Sequence, residues 1–161
     1  MGIQFETDYN METLTAMAKS LRKTVRKKRS RRVHIFAAVV LILGLLTILA
    51  TTAGGEPLGA SGVVTLLAML VVILVSLFED KLNAWFARKR LLPGTEHAAA
   101  TFEEDGYVSA TGVTESRFSY AQIVAVAETA RYFVFALSSH HTQAYDKRTI
   151  RGGSVEDFRA F

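Results

Sequence analysis

The side chains with the clearest chemistry are cations, and they cluster on either side of two apolar segments. Nine of the nineteen Lys and Arg residues lie between Lys19 and Arg32, and four more lie between Lys81 and Arg90. Residues 95–161 carry nine acidic and six basic side chains. A nucleic-acid-binding protein would carry its positive charge on the folded domain, whereas these cations lie where anionic lipid headgroups would be. The residues predicted to face a membrane surface are Arg22, Lys23, Arg26, Lys27, Lys28, Arg29, Arg31, Arg32, Lys81, Arg88, Lys89 and Arg90.

The other reactive residue types form no recognisable catalytic or metal-binding set. The chain has no cysteine, which excludes disulfides, Cys-ligated zinc and thiol catalysis. His140 and His141 are adjacent, and adjacent strand residues point to opposite faces, so a turn is favoured over a shared metal. Residues 103–105 lack the spacing of a calcium loop, and residues 152–154 are more typical of a helix cap than of an anion site. We predict no catalytic residue, no cofactor, no metal and no enzymatic activity.

Two uncharged apolar segments separate the basic clusters. Residues 35–55 and 57–78 contain no charged side chain, and each is about as long as the roughly 20 residues that cross a bilayer as a helix. The alternative, two core helices of a soluble bundle, requires amphipathic helices to cover them, and the chain has none. The short connection predicts an antiparallel hairpin, in which Gly44 is a candidate for close helix contact.

The charges flanking the hairpin predict its orientation. Residues 51–62 contain no Lys or Arg, while both outer flanks are rich in them. The positive-inside bias therefore predicts that both termini lie in the cytoplasm. Because no Asp, Glu, Lys or Arg lies within the segments, an ion or proton pathway is disfavoured.

The segment before the hairpin is predicted to form a strand followed by a basic helix. Residues 3–6 alternate between apolar and polar types, and residues 7–10 offer helix caps before Met11. Apolar residues then recur at helical spacing up to Val25. This helix is predicted to lie along the membrane surface or to continue into the first span, with a solvated basic linker as the alternative.

The segment after the hairpin changes from helical to strand periodicity. Residues 81–92 are predicted to continue the second span as a helix, with Trp85 and Phe86 at the interface, and Pro93-Gly94 ends it. Ser154 and Asp157 form a capping-box pattern for a last helix, residues 155–161, whose Val155, Phe158 and Phe161 would face a sheet. Predicted strands cover residues 98–103, 107–111, 115–119, 123–129, 132–138 and 142–147.

These elements predict an α+β membrane protein in which a transmembrane helical hairpin is joined to a small antiparallel β-rich domain with a carboxy-terminal helix. The predicted divisions are residues 1–32, with the first strand and the basic amphipathic helix; residues 33–92, with the two-helix hairpin and a juxtamembrane helix; and residues 95–161, the β-rich domain. That strand order closed by one helix is the layout of a pleckstrin-homology-like (PH-like) barrel.

The sequence resembles the YcxB-like family of bacterial membrane proteins over nearly its whole length. The residues that carry the resemblance are Phe5-Glu6-Thr7-Asp8-Tyr9, Phe102-Glu103-Glu104-Asp105-Gly106, Glu115-Ser116-Arg117-Phe118-Ser119-Tyr120, Ile123, Val126, Glu128-Thr129, Tyr132-Phe133, Lys147-Arg148 and Glu156-Asp157-Phe158-Arg159. The resemblance implies a cytoplasmic PH-like domain and a bacterial inner-membrane location, and it brings no known activity. Residues 142–146 are more polar than in related sequences, which leaves the packing of that strand open.

Three functions fit this reading. The first is a non-enzymatic membrane protein that presents the PH-like domain to an unknown protein partner, with anionic headgroups as lipid partners and homo-oligomers as a further option. The second is an immunity protein against a membrane-acting toxin. The third is a small subunit of a transport or channel assembly, which the uncharged spans disfavour.

Overall fold

The computed structural model describes residues 2–55 and 57–160 and divides into two compact units. One contains the described part of Met1–Lys27 and Asn83–Phe161, and the other is Lys28–Leu82. In chain order the elements are β1 (Ile3–Asp8), α1 (Met11–Lys23), α2 (Lys27–Ala53), α3 (Ala60–Leu77), α4 (Glu79–Lys89), β2 (His97–Glu103), β3 (Gly106–Thr111), β4 (Glu115–Phe118), β5 (Ala125–Glu128), β6 (Tyr132–Ala136), β7 (Thr142–Asp146) and α5 (Val155–Ala160). The expected α+β class with antiparallel sheets is confirmed.

The first strand belongs to the same folded unit as the strands that follow the hairpin. β1 pairs antiparallel with β2 along its whole length, from Ile3 opposite Phe102 to Asp8 opposite His97. The sheet order is β1-β2-β3-β4, and a second sheet has the order β5-β6-β7. Residues 1–32 therefore do not form the separate region expected from the sequence. The apolar face of β1 needs a core to cover it, and that core lies on strands beyond residue 95.

Aromatic side chains from both sheets and from α5 form the core. Phe5 has its ring centroid 4.7 Å from that of Phe158 and 5.7 Å from those of Phe102 and Tyr145. Phe102 stacks on Tyr107 at 5.0 Å. Such pairs add to the burial of their apolar area. Since Phe5 precedes the hairpin and its partners follow it, the core itself links the two ends of the chain.

α1 packs against the second sheet and does not run along a surface or into the first span. Asn10 caps the helix, its Oδ1 accepting from the backbone N–H groups of Glu12 (2.9 Å) and Thr13 (3.0 Å). Leu14 and Leu21 are buried, and Met17 packs on a small cluster formed by Tyr132, Val134 and Ala144. The surface placement predicted for this helix was wrong because its apolar stripe has a protein partner. It ends at Lys23, and residues 24–26 separate it from α2.

Most of the polar side chains of β7 are buried, and they have hydrogen-bond partners inside the domain. The hydroxyls of Tyr107 and Tyr145 donate to Oε1 of Gln143 at 2.8 and 2.7 Å. Asp146 accepts from Arg131 Nε (3.0 Å) and Arg148 Nη2 (2.9 Å). Buried polar groups are tolerated when they find such partners, which answers the question that the polarity of residues 142–146 leaves open.

The unit Lys28–Leu82 holds the two apolar segments as helices. Helix α2 is continuous from the basic residues into the apolar segment, and α3 begins at Ala60. Both helices are long and apolar enough to cross a membrane. In each of them, the most apolar stretch is not buried within the protein. A Cβ on Gly44 would lie 2.8 Å from Sδ of Met69, so this glycine lies at a close helix contact. Glu56, in the connection, lies outside the described residues.

The remaining predicted elements differ only in their ends. α3 ends at Leu77 with Phe78 as its cap residue, and α4 follows from Glu79 to Lys89, where it stops before the predicted Leu92. The predicted capping box of α5 is present, with Asp157 N donating to Ser154 Oγ (3.1 Å) and Ser154 N donating to Asp157 Oδ2 (2.7 Å). Phe158 is buried in the core, while Phe161 lies outside the described residues.

Candidate functional site

An apolar groove lies between β5 and α5. It encloses a cavity of about 360 Å³, at the small end of the roughly 300–1,000 Å³ typical of ligand pockets. Phe133, Phe135 and Phe158 line it beside Val126 of β5. The other lining residues are Phe102, Tyr120, Ile123, Glu128 and Arg159. We call this feature the β5–α5 groove.

One wall of the β5–α5 groove is the free edge of a sheet. β5 pairs with β6 on one side and has no other strand partner among the described residues. Thr129 N donates to Tyr132 O (2.8 Å) next to the β5–β6 hairpin, and hydrogen-bonded pairs alternate along an antiparallel ladder. The N–H and C=O groups of Val126 and Glu128 therefore point away from β6. Neither backbone makes a hydrogen bond on that side to another described residue.

The rim of the groove carries an ion-pair cluster. Glu128 Oε1 accepts from Lys147 Nζ at 2.5 Å and from Arg159 Nη2 at 2.6 Å. The hydrogen bonds from Arg159 and then Lys147 lower the pKa of Glu128 to about 2. Glu128 is thus ionised at neutral pH and paired, which makes it a poor general acid or base.

Buried tyrosines elsewhere in the domain are held in their neutral form. Burial raises the pKa of Tyr145 well above its ordinary value, and burial also raises the pKa of Tyr107. Both hydroxyls act as donors to Gln143. Both hydroxyl protons are therefore engaged in hydrogen bonds inside the domain.

The two adjacent histidines have different partners. The Nδ1 atom of His140 lies 3.2 Å from Nη2 of Arg26, whereas the ring of His141 packs edge-on against Phe118. Across residues 2–55 and 57–160, no group of three or more His, Cys, Asp or Glu side chains is placed to hold a metal ion.

The basic residues predicted to face a membrane fall into three groups. Arg26 is committed to the fold, since its Nε donates to the carbonyl of Ser139 at 2.6 Å. Arg22 is partly buried and has an interaction partner. The other ten are exposed: Lys23, Lys27, Lys28, Arg29, Arg31, Arg32, Lys81, Arg88, Lys89 and Arg90.

Helix α4 combines exposed aromatic and basic side chains. Trp85 and Phe86 contact each other edge-on at 5.0 Å between centroids, and each is about half exposed. Lys89 Nζ lies 3.6 Å from the Trp85 ring centroid, a cation–π contact. Aromatic and basic residues at the end of an apolar helix are typical of a membrane interface.

The fold and these surfaces define an α+β protein whose antiparallel domain is interrupted, between its first and second strands, by an apolar two-helix segment. Residues 102–161 match the family model described as YcxB-like protein. All nine residues that line the β5–α5 groove lie inside the matched segment. No curated protein matches the chain, and no solved structure matches it.

The sequence did not identify the groove. A strand edge beside a helix was foreseeable from the order of the predicted elements, but the residues that line the cavity were not. The signal available was Val126 within a strand whose other face carries small alanines, Ala125 and Ala127. That pattern does not reveal which edge of the sheet remains unpaired.

Proposed function

We propose that this chain is a non-enzymatic integral membrane protein that presents a PH-like domain to a protein partner in the cytoplasm. The bacterial inner membrane is the proposed location, in keeping with the match to the YcxB-like family. The observation that carries the proposal is the pairing of β1 with β2 on either side of two exposed apolar helices.

The β1–β2 pairing limits the possible topologies. Residues on both sides of the hairpin build one folded domain, so the chain must leave that domain and return to it on the same side of a membrane. One crossing would separate β1 from β2, and cleavage of α2 as a signal sequence would remove β1 and the core residue Phe5. Two crossings or none remain, and exposed apolar side chains along both helices favour two.

The charges then favour the cytoplasmic side. Ten exposed cations flank the two apolar segments, whereas the described part of the connection between them carries none. Each basic residue near an anionic surface contributes roughly 1 kcal/mol to membrane attraction. The half-exposed Trp85 and Phe86 suit the interfacial layer.

Single-cysteine labelling tests the topology, because the natural chain has no cysteine. We expect Leu58→Cys to react with a membrane-impermeant maleimide in intact cells, and Asp105→Cys to react only after lysis. Both variants should stay in the membrane pellet after an alkaline carbonate wash. The reverse labelling pattern contradicts the orientation, and release by carbonate contradicts insertion.

Site-specific photo-crosslinking in native membranes tests the interaction role. A photoreactive residue at Asp105, at Val113 or at Val126 should give a discrete adduct from at least one of these positions, and the adduct should disappear when the core is disrupted by Phe5→Ala. Absence of adducts at all three positions contradicts a role in presenting the domain to a protein.

A further inference from the structure

We propose that the β5–α5 groove binds an extended, uncharged peptide segment of the partner protein as an added strand on β5. This inference rests on the proposed function, for which it names the binding site and the class of partner. Main-chain hydrogen bonds to the free edge would supply affinity, and one apolar side chain of the peptide would fill the cavity.

The first argument is the pairing requirement of the edge. Val126 and Glu128 line the groove. The alternation of the ladder places their free N–H and C=O groups on the side of β5 that faces away from β6. Only a ligand with donors and acceptors at strand spacing can match both residues. A lipid acyl chain could fill the apolar cavity but would leave these groups unpaired when it displaced water.

The second argument is the exposed apolar surface at the start of β5, away from the ion-paired Glu128 at its end. Proteins usually protect free edges with charge, proline or a covering element. Here Val126 is 56 % exposed and Val124 is 64 % exposed. These are the only large hydrophobic side chains described between residues 114 and 160 that are classed as exposed, and Val126 lines the cavity.

The third argument is charge. Among the described residues, the charged side chains that line the groove are Glu128 and Arg159, and they are paired with each other at 2.6 Å. Lys147 completes the cluster at Glu128, and Glu156 lies 3.3 Å from Arg159. Since these four side chains carry no net charge, the complementary segment is uncharged where it enters the cavity, with alternating apolar residues set by the strand period.

A random nonapeptide library displayed on phage, panned against the full chain in lipid nanodiscs, tests this inference. We expect enrichment of uncharged peptides with alternating apolar residues. The best synthetic peptide should slow hydrogen exchange at the amides of Val126 and Glu128. Val126→Pro should weaken its binding by at least about tenfold, because proline removes the free donor without breaking the β5–β6 ladder.

Val126→Asp is the second variant, and it keeps the backbone N–H while placing a charge at the cavity. It should also weaken binding by at least about tenfold, given the cost of a charge in an apolar site. The matched control is Val113→Asp, since Val113 is similarly exposed (63 %) in the β3–β4 turn and lies outside the groove. It should bind the peptide like the natural chain. Thermal unfolding of each variant shows whether the fold is kept.

Three results would overturn the inference. One is equal peptide binding by the natural chain and a folded Val126→Pro variant. Another is enrichment of charged or non-alternating peptides only. The third is a dimer that Val126→Pro dissociates, which would assign the edge to a second copy of the chain. Crosslinked adducts at Asp105 or Val113 together with any of these results would leave the interaction role intact and remove only the groove from it.

Discussion

Replacing Phe5 with alanine should strongly destabilise a domain whose other core residues lie almost entirely beyond the hairpin. Phe5 is 1 % exposed and contacts Phe102, Phe133, Tyr145 and Phe158 at centroid distances of 4.7 to 6.3 Å. Truncation of a buried phenylalanine costs about 3–5 kcal/mol. A small domain has only about 5–15 kcal/mol in total, so much of its stability should be lost.

The same strand provides the control. Gln4 is exposed on the opposite face of β1 and uses its backbone to pair with Arg151. Gln4→Ala should therefore change stability by no more than about 0.5 kcal/mol. Both variants keep the residues that form the hairpin, so their membrane insertion should match that of the natural chain.

Limited proteolysis and thermal unfolding of the detergent-solubilised full chain measure the difference. We expect Phe5→Ala to expose residues 97–160 to trypsin at temperatures where the natural chain and Gln4→Ala resist cleavage. Equal resistance of Phe5→Ala and Gln4→Ala would refute the inclusion of β1 in the domain. The argument for an even number of membrane crossings would fail with it.

Three further predictions concern the buried polar network, alkaline pH and the hairpin. Gln143→Leu leaves two buried tyrosine hydroxyls without their acceptor and should lower the free energy of unfolding by about 2–4 kcal/mol, measured by chemical denaturation. Burial raises the pKa of Tyr9 to about 12, so the protonated form is favoured in the fold. The stabilisation that the protonated Tyr9 hydroxyl contributes is fully present below pH 10 and is lost as the pH rises toward 12. The free energy of unfolding should fall by up to about 2–3 kcal/mol over this range. Gly44→Leu overpacks the contact with Met69 and should destabilise the hairpin by about 1–3 kcal/mol, measured by thermal circular dichroism in detergent.

Each of these has a distinct control. Tyr9→Phe should reduce the alkaline loss of stability to the part that comes from other tyrosines such as Tyr107 and Tyr145, whose pKa values burial also raises. An unchanged pH profile would show that Tyr9 does not contribute. Ala38→Leu, at an exposed position of the same helix as Gly44, should have little effect, so equal destabilisation by both leucines would contradict a close contact at Gly44. For Gln143, an unchanged midpoint would show that water replaces its side-chain oxygen as acceptor.

Local features were predictable because they depend on neighbours within a few residues. The strands after residue 97, the helix that begins at Met11 and the capping box at Ser154 all follow from period, caps and turn residues, and the structure has them within a few positions. The two apolar helices follow from composition alone. Membrane insertion itself stays a proposal, as do the partner, the immunity and transport alternatives, and the absence of enzymatic activity.

The exact site was not predictable, because it depends on which strands pair. The alternation of Ala125, Val126 and Ala127 is equally compatible with a central strand and with an edge strand. Likewise, the basic and apolar faces of α1 fit a membrane surface as well as a sheet. Only the position of Tyr132, Val134 and Ala144 decides that α1 covers protein.

The sequence by itself therefore determined which segments form helices and which form strands. It also determined the two apolar helices and the cations beside them, because hydration, caps and periodicity act locally. The tertiary structure alone decided that the first strand completes a sheet made beyond the hairpin. It also decided that Thr7 Oγ1 accepts from Asp146 N across 139 positions of sequence and that β5 keeps a free edge beside α5. Contacts between residues so far apart in sequence depend on how one shared core packs, and no local sequence pattern specifies which strand pairs with which.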